Sequence, residues 1–224
     1  MSSSPLYFRQ LLSGRDFAVG DPLASQMVNF VYAIGDRRTG ECVLVDPAYA
    51  VVELVDLVGA DGMTVSGALA THYHPDHVGG SMMGYSIEGI VELLAHVDCP
   101  IHVQRDEVEW VTKSTNVSVD HLVGHDSGDV LTVGGIEISL VHTPGHTPGS
   151  QCFFVDDRLI AGDTLFLEGC GRTDLPGSDP AKMAESLRRL AEVPDNTILF
   201  PGHRYSIASS ATMDVVKQTN FVFQ

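Results

Sequence analysis

The sequence predicts one mixed α/β domain over residues 1–224, and three observations support this fold class. The chain has 224 residues, of which 44% are hydrophobic and 19% are charged, a composition typical of globular proteins. Short apolar runs alternate with longer stretches in which apolar residues recur every three or four positions. Histidine-rich polar segments follow several of the apolar runs. This alternation favours strands and helices around a shared core, with polar loops at its edge.

Eight apolar runs have the residue types of β-strands, and Gly, Pro and Asp punctuate them. They cover residues 6–12, 27–34, 42–46, 65–70, 136–141, 151–155, 158–161 and 197–200. Helical spacing predicts α-helices over residues 49–58, 87–97, 106–112, 180–191 and 211–218. Asp179 before Pro180 has the pattern of a helix N-cap followed by the first helical residue.

The charge balance excludes several classes of partner. Twenty-nine acidic residues against thirteen basic ones give a formal net charge of -16. A surface this negative repels phosphate backbones and anionic lipids. We therefore expect no nucleic acid partner and no membrane partner. No uncharged apolar run reaches the roughly 18 residues of a spanning helix, so we expect a soluble protein.

The cysteines and the first residues bear on the compartment. Cys42, Cys99, Cys152 and Cys170 are scattered and form no CxxC pair, which fits a reducing compartment. Residues 1–5 do not lead from a basic region into a long apolar core, so we expect no secretory signal. Both observations predict a cytoplasmic location.

Four of the predicted strands run directly into loops that carry His or Asp. Residues 71–77 read THYHPDH, 142–146 read HTPGH, 162–164 read GDT and 201–203 read PGH. Because strand ends in α/β folds converge on one edge of a sheet, we expect these loops to meet there. Seven side chains would then face one another: His72, His74, Asp76, His77, His146, Asp163 and His203.

Five imidazoles and two carboxylates in one pocket require positive charge between them, and a metal ion supplies it. The donor atoms are all nitrogen and oxygen, which suits Zn²⁺, Fe²⁺ or Mn²⁺. Seven ligands exceed the needs of one ion, so the set predicts two ions about 3.5–4 Å apart, bridged by a carboxylate and a hydroxide. We interpret the remaining histidines as structural: His96, His102, His121, His125 and His142.

The ordered set THYHPDH, TPGHT, GDT and PGH resembles the metallo-β-lactamase superfamily. The resemblance implies an αββα sandwich with the metal site at one edge of the two sheets. Residues 162–166 (GDTLF) and 169–174 (GCGRTD) are similar to the glyoxalase II (hydroxyacylglutathione hydrolase) group and its relatives, which include the persulfide dioxygenases.

The resemblance also implies a role for each of the seven side chains. His72, His74 and His146 would hold the first metal, Asp76, His77 and His203 the second, and Asp163 would bridge them. The implied enzyme is a metal-dependent hydrolase that uses a metal-bound hydroxide, with two divalent ions, Zn²⁺ being favoured. The favoured substrate is a small-molecule thioester such as an S-acylated thiol. Asp76 is the candidate catalytic residue, since it could position the water or relay its proton.

Three alternatives stay open at the level of sequence. His72, His146 and Asp163 form a two-histidine, one-carboxylate set that suits a single Fe²⁺, as in a persulfide dioxygenase. A lactone hydrolase and a metal-binding module without turnover are also compatible with the motifs. The DTLF and PGH segments resemble the hydrolase branch more closely, which favours hydrolysis.

Residues beside the motifs are candidates for substrate contacts. Arg172, Arg204 and Tyr205 could meet an anionic substrate tail, although Arg172 is expected to pair mainly with Asp174. Glyoxalase II enzymes contact the glutathione carboxylates through basic residues of a C-terminal extension. Lys217 is the only basic residue after Arg204, so we expect that contact to be missing or rebuilt.

The segment 81–99 has two interpretations. A packed helix is the favoured one. In the alternative, Met82, Met83, Tyr85 and Ile87 line an entrance to the site.

Overall fold

The computed structural model describes residues 4–224 and contains two six-stranded sheets. The strands in chain order are β1 (Leu6–Leu12), β2 (Phe30–Asp36), β3 (Glu41–Val45), β4 (Thr64–Leu69), β5 (Gly80–Met82), β6 (Tyr85–Ile87), β7 (Ile101–Gln104), β8 (Leu122–His125), β9 (Val130–Val133), β10 (Ile136–His142), β11 (Gln151–Val155), β12 (Arg158–Gly162), β13 (Ile198–Pro201) and β14 (Ala211–Thr212). The α-helices are α1 (Pro22–Met27), α2 (Val51–Ala60), α3 (Pro75–Val78), α4 (Ile90–His96), α5 (Val108–Thr115), α6 (Pro180–Ala191) and α7 (Met213–Thr219).

The two sheets have related but distinct topologies. The first has the order β1-β2-β3-β4-β7-β8, with antiparallel pairs up to β3 and parallel pairs beyond it. The second has the order β14-β13-β12-β11-β10-β9 and is antiparallel except for the pair β12 and β13. Strands β5 and β6 form a separate hairpin. The parallel pairs align the ends of neighbouring strands, and β4, β12 and β13 belong to such pairs.

Side-chain alternation along β2 shows how the layers form. Val31 and Ala33 lie in the apolar cluster that the first sheet shares with its helices. Phe30, Tyr32 and Ile34 belong to the cluster between the two sheets. Because successive strand residues point to opposite faces, a strand buried on both faces is apolar throughout.

The helices cover the outer faces of both sheets. Apolar residues of α2, α4 and α5, such as Leu54, Leu93 and Val111, pack on the first sheet. Leu187 of α6 and Val216 of α7 pack on the second. The layers therefore run helix, sheet, sheet, helix, and the expected αββα sandwich is confirmed.

The predicted elements are recovered with shifts at some ends. The eight expected strands and five expected helices are present, and α6 has the expected bounds because Asp179 accepts hydrogen bonds from Ala181 N and Lys182 N. The prediction that residue 27 begins a strand was wrong. Met27 ends helix α1, which Asp21 caps by accepting hydrogen bonds from the backbone of its first turn.

The expectation of a mainly helical segment over 81–99 was also wrong. Residues 80–87 form the β5–β6 hairpin, and helix α4 begins only at Ile90. The turn of the hairpin has positive φ at Met83 (53°) and Gly84 (82°), and glycine adopts this conformation readily. The break in the helical pattern therefore lies at the glycines of this segment.

Two further expectations concern the chain as a whole. Within residues 4–224, no helix combines the length and the apolar character needed to cross a bilayer. All four cysteines are free thiols.

Candidate metal centre

The site lies where β4, β10, β12 and β13 end. Strand β4 runs into residues 70–77, and β10 runs into residues 143–146. Asp163 directly follows β12, and His203 lies two residues after β13. The structure thus brings the four expected polar loops to one edge of the sandwich.

All seven predicted side chains gather there. Six of them are buried, and His74 is half-buried. Their ligand atoms fall into three overlapping groups, and within each group the atoms lie within 4.8 Å of one another. The groups are His72 with His74 and His146, His72 with His77 and Asp163, and Asp76 with His77 and His203.

Close contacts between ring nitrogens define two subsites. In the first, His74 Nδ1 lies 3.0 Å from His146 Nε2. In the second, His77 Nε2 lies 3.2 Å from His203 Nε2, and Asp76 Oδ2 lies 3.4 Å from that same His203 atom. The first subsite holds residues from the set that the resemblance implies for the first metal, and the second holds the set implied for the second metal.

Asp163 lies between the two subsites. Its Oδ1 is 3.5 Å from His77 Nε2, and its Oδ2 is 3.3 Å from His203 Nε2 and 3.7 Å from His146 Nε2. A Cβ on Gly202 would lie 2.4 Å from Asp163 Oδ1. The PGH segment therefore needs glycine before its histidine, because any side chain there would displace the carboxylate.

Hydrogen bonds fix which nitrogen of each buried ring faces the centre. The Nδ1 atoms of His146 and His203 lie 2.8 Å from Arg172 O and 2.7 Å from Met27 O, which can only accept. His77 Nδ1 lies 2.9 Å from Asp46 Oδ2. Each Nδ1 therefore carries a proton, and Nε2 is the nitrogen that faces inward, where a metal ion would replace any second proton on the ring.

Two buried atoms test whether the cluster fits a metal. Among residues 4–224, His72 Nε2 and Asp163 Oδ1 are the only buried side-chain nitrogen or oxygen atoms without a hydrogen-bond partner. Buried polar atoms are nearly always partnered, so both atoms call for a ligand of another kind. Ring nitrogens that face inward, together with two buried atoms that lack a hydrogen-bond partner, form a set of ligands that fits divalent cations.

The electrostatics agree with this assignment. Burial lowers the pKa of His77, but the carboxylates of Asp76, Asp163 and Asp46 outweigh burial and raise it to about 10. Burial raises the pKa of Asp163, but His203 and His77 outweigh it and hold that pKa well below its usual range. The carboxylates are thus ionised and attract positive charge to the centre.

Sequence reasoning missed Asp46 as a supporting residue. Its Oδ1 accepts a hydrogen bond from Thr71 N at 2.7 Å, and its Oδ2 accepts one from Thr71 Oγ1 at 2.7 Å as well as the His77 contact. Thr71 Oγ1 also lies 2.9 Å from His72 Nδ1. Because the Thr71 hydroxyl donates its hydrogen bond to Asp46, its oxygen accepts a hydrogen bond from His72 Nδ1. Asp46 directly follows an apolar strand beside β4, and that position was the available signal.

Glu107 is a second residue that sequence reasoning missed. It is 1% exposed and accepts hydrogen bonds from Tyr73 N, Thr147 Oγ1 and Gly149 N at 2.8, 2.7 and 2.6 Å. It thereby joins the loop of His72 and His74 to the loop of His146. Nothing in the local sequence pattern around residue 107 signals this contact.

A cavity of about 790 Å³ opens above the cluster. His74, Asp76, His146, Asp163 and His203 reach its floor. Such a volume suits a small organic ligand.

Two of the three predicted substrate contacts line this cavity. Arg172 and Tyr205 line it, whereas Arg204 does not. The Arg172 guanidinium donates two hydrogen bonds of 2.8 Å to Asp174, and the Tyr205 ring stacks on His203 with centroids 4.7 Å apart. Their role toward a substrate stays a prediction.

Comparison with known proteins agrees with the site. The family model of the metallo-beta-lactamase superfamily matches residues 26–203, which includes all seven side chains. The chain is 29% identical over 197 residues to the probable polyketide biosynthesis zinc-dependent hydrolase BaeB of Bacillus velezensis, covering 88% of this chain and 82% of that protein. It is 32% identical over 196 residues to the hydroxyacylglutathione hydrolase of Aeromonas hydrophila, covering 88% of this chain and 69% of that protein.

Among solved structures, the chain resembles ETHE1 from Myxococcus xanthus. The TM-score is 0.74 at 27% sequence identity, with 95% of this chain and 82% of the other covered. Together these likenesses support a metal-binding, hydrolase-like protein and leave its substrate to the chemistry of the cavity.

Proposed function

The chain belongs to the metallo-beta-lactamase superfamily, and on this basis we propose that it is a metal-dependent hydrolase of small thioesters. One observation carries the proposal: five imidazoles and two carboxylates converge under an open cavity, with His72 Nε2 and Asp163 Oδ1 unpartnered among residues 4–224. The hydrolase names of two relatives support the same class of reaction.

Two ions, with Zn²⁺ favoured, would use all seven ligands. His72, His74 and His146 would hold one ion, Asp76, His77 and His203 the other, and Asp163 would contact both. When bound, such ions lower the pKa of a coordinated water to about 7 and polarise a carbonyl oxygen.

Asp76 is the side chain best suited to orient the attacking water. Its Oδ2 accepts a hydrogen bond of 3.0 Å from Asn29 Nδ2, and the Tyr49 hydroxyl donates to Asn29 Oδ1 at 3.0 Å. Burial raises the pKa of Asp76, but His77 and His203 outweigh it and lower that pKa. An ionised carboxylate held at the cavity floor can accept a hydrogen bond from a water molecule and thereby direct a lone pair of the water oxygen at the carbonyl carbon of the substrate.

A thioester fits this site because its leaving group needs no acid. A thiol has a pKa near 8.5, so the thiolate departs without being protonated first, whereas an alkoxide needs a proton donor. Hydrolysis of a thioester therefore requires only a nucleophile, a polarised carbonyl and room for the acyl and thiol portions of the substrate.

A mononuclear iron persulfide dioxygenase is the second candidate, and two observations favour it. The first is the likeness to ETHE1. The second is that His72 shares one candidate ligand group with His146 and another with Asp163, and His146 Nε2 lies 3.7 Å from Asp163 Oδ2. These two histidines and one carboxylate would suit Fe²⁺.

Metal analysis and two assays separate these functions. Protein purified without chelators or added metal is expected to contain about two ions per chain and, when loaded with Zn²⁺, to release thiol from S-lactoylglutathione or from the uncharged acetyl-N-acetylcysteamine. One iron per chain with oxygen uptake on glutathione persulfide, and no thiol release, would overturn the proposal. Hydrolysis of a lactone alone indicates a lactonase, and bound metal without any turnover indicates a binding module.

A further inference from the structure

Three segments from distant parts of the chain build the cavity walls. The β5–β6 hairpin supplies Met82 and Met83, the loop after β12 supplies Phe166, and the C-terminal segment supplies Phe221. Met83 and Phe221 are 76% and 72% exposed. When a ligand covers such exposed apolar side chains, a large apolar area leaves water, and this favours binding.

The C-terminal wall is fixed in place by Asn220. This residue is 1% exposed, and its Nδ2 donates hydrogen bonds of 3.0 Å to Phe166 O and Gly169 O. Its Oδ1 accepts a hydrogen bond of 2.8 Å from Gly169 N. A Cβ on Gly169 would lie 3.3 Å from the Phe221 ring, so the two segments pack closely. Phe221 is therefore a built part of the wall.

The cavity offers little to an anionic substrate. Apart from the metal-centre residues, its charged lining within residues 4–224 is Glu168 and Arg172. The guanidinium of Arg172 is already engaged by the carboxylate of Asp174. A substrate with two carboxylates would meet one paired cation and one acid, on a chain whose net charge is -16.

We infer that this cavity selects thioesters that are uncharged and carry an apolar acyl chain, in preference to thioesters of glutathione. The inference rests on the proposed thioesterase activity. The walls provide methionine, phenylalanine and leucine surface for an acyl chain, and within residues 4–224 the one guanidinium in their lining, that of Arg172, is paired with Asp174. Each methylene that leaves water strengthens binding by about fourfold.

Four thioesters test the inference on the Zn²⁺-loaded protein. They are the acetyl and hexanoyl esters of N-acetylcysteamine and of glutathione. We expect kcat/KM to be at least about tenfold higher for hexanoyl than for acetyl on N-acetylcysteamine, and higher for each N-acetylcysteamine ester than for its glutathione counterpart. Equal rates, or a preference for the glutathione esters, overturn the inference and leave the thioesterase function standing.

A binding measurement separates failure of the inference from failure of the function. The thioethers S-hexyl-N-acetylcysteamine and S-hexylglutathione cannot be hydrolysed, so calorimetry with them does not depend on turnover. Trp110 gives a second signal, since its ring stacks on cavity-lining Tyr73 with centroids 5.0 Å apart. Tighter binding of the uncharged thioether supports the inference even if no thioester is hydrolysed, and tighter binding of S-hexylglutathione contradicts it.

Variants of Phe221 test the wall itself. Phe221→Ala is expected to lower the hexanoyl-to-acetyl ratio of kcat/KM at least about threefold, because less apolar surface covers the chain. Phe221→Lys should move the preference toward the glutathione esters. Val215→Ala is the control, since Val215 is an exposed residue of α7 outside the cavity. An unchanged ratio in both Phe221 variants would remove this residue from the proposed wall.

Discussion

The metal centre and the His102–His125 pair are two groups of close histidines with different chemistry. His102 Nδ1 lies 2.9 Å from His125 Nε2, and His125 Nδ1 lies 3.3 Å from Asp129 Oδ2. The pair is inside strands β7 and β8. The side chain of Asp129 is 48% exposed, whereas those of Asp76 and Asp163 are 7% and 11% exposed.

The buried carboxylates distinguish the metal centre from this pair. Burial and His125 lower the pKa of His102 to about 4, so the His102 ring is uncharged at neutral pH. In the metal centre burial lowers the pKa of His74 to about 4 as well, but at His77 the carboxylates outweigh burial and raise the pKa to about 10. Two imidazoles packed together are a structural contact, and imidazoles packed around buried carboxylates attract a cation.

The largest expected effect comes from removing a ligand. Asp163→Ala and His74→Ala should reduce turnover to background with the fold intact, because the metal centre loses its shared carboxylate or an inward nitrogen. Thiol release and circular dichroism are the measurements, and His102→Ala is the control that should keep its rate. Near-normal turnover in either ligand variant would break the distinction between the two groups.

Metal addition should stabilise the protein through the centre alone. Free Zn²⁺ at a thousandfold excess over its Kd adds about 4 kcal/mol to the free energy of unfolding, and a chelator removes it. Thermal unfolding with and without Zn²⁺ measures the shift in Tm. Zn²⁺ should raise the Tm of His102→Ala as much as that of the natural sequence, and should raise the Tm of Asp163→Ala much less. The same shift in both variants would contradict the assignment of the ligands.

A smaller effect is expected from Glu107→Gln. The carboxylate accepts three hydrogen bonds that join the two loops of the first subsite, and the amide nitrogen of glutamine cannot accept. We expect metal affinity to fall about 10- to 100-fold and the free energy of unfolding to fall by about 1–3 kcal/mol. Metal titration and urea unfolding measure the two changes.

Glu109→Gln is the matched control for Glu107. Its side chain is 76% exposed and pairs with Lys113, so both quantities should stay unchanged. If the two variants behave alike, Glu107 does not support the centre.

The His102 pair is expected to make the stability of the protein depend on pH. The pKa of His102 is lowered from 6.5 to about 4, so the unfolded chain binds this proton more strongly than the folded protein does. The contribution to stability is present above pH 6.5 and is lost as the pH falls toward 4. Urea midpoints at pH 7 and pH 4.5 should differ less in His102→Gln than in the exposed-residue control His121→Gln. An unchanged pH dependence in His102→Gln would contradict this.

Local pattern predicted much of the fold and the membership of the cluster. Helix α6 has the expected bounds because Asp179 and Pro180 mark its start and its apolar face is regular. Strands β5 to β9 and β14 were not predicted. A His interrupts the apolar residues of β7 and ends β8, and β5, β6 and β14 have only two or three residues, too few for an alternation to show.

The sequence by itself determined the strand ends, the histidines and aspartates that follow them, and hence the seven side chains of the centre. Tertiary structure alone decided what supports them and what lies above them. Glu107 reaches Gly149 across 42 positions of chain, and Asn220 reaches Phe166 across 54. Periodicity reports which face of an element is apolar, but which distant segment covers that face depends on how the layers pack, and the cavity walls are built from such segments.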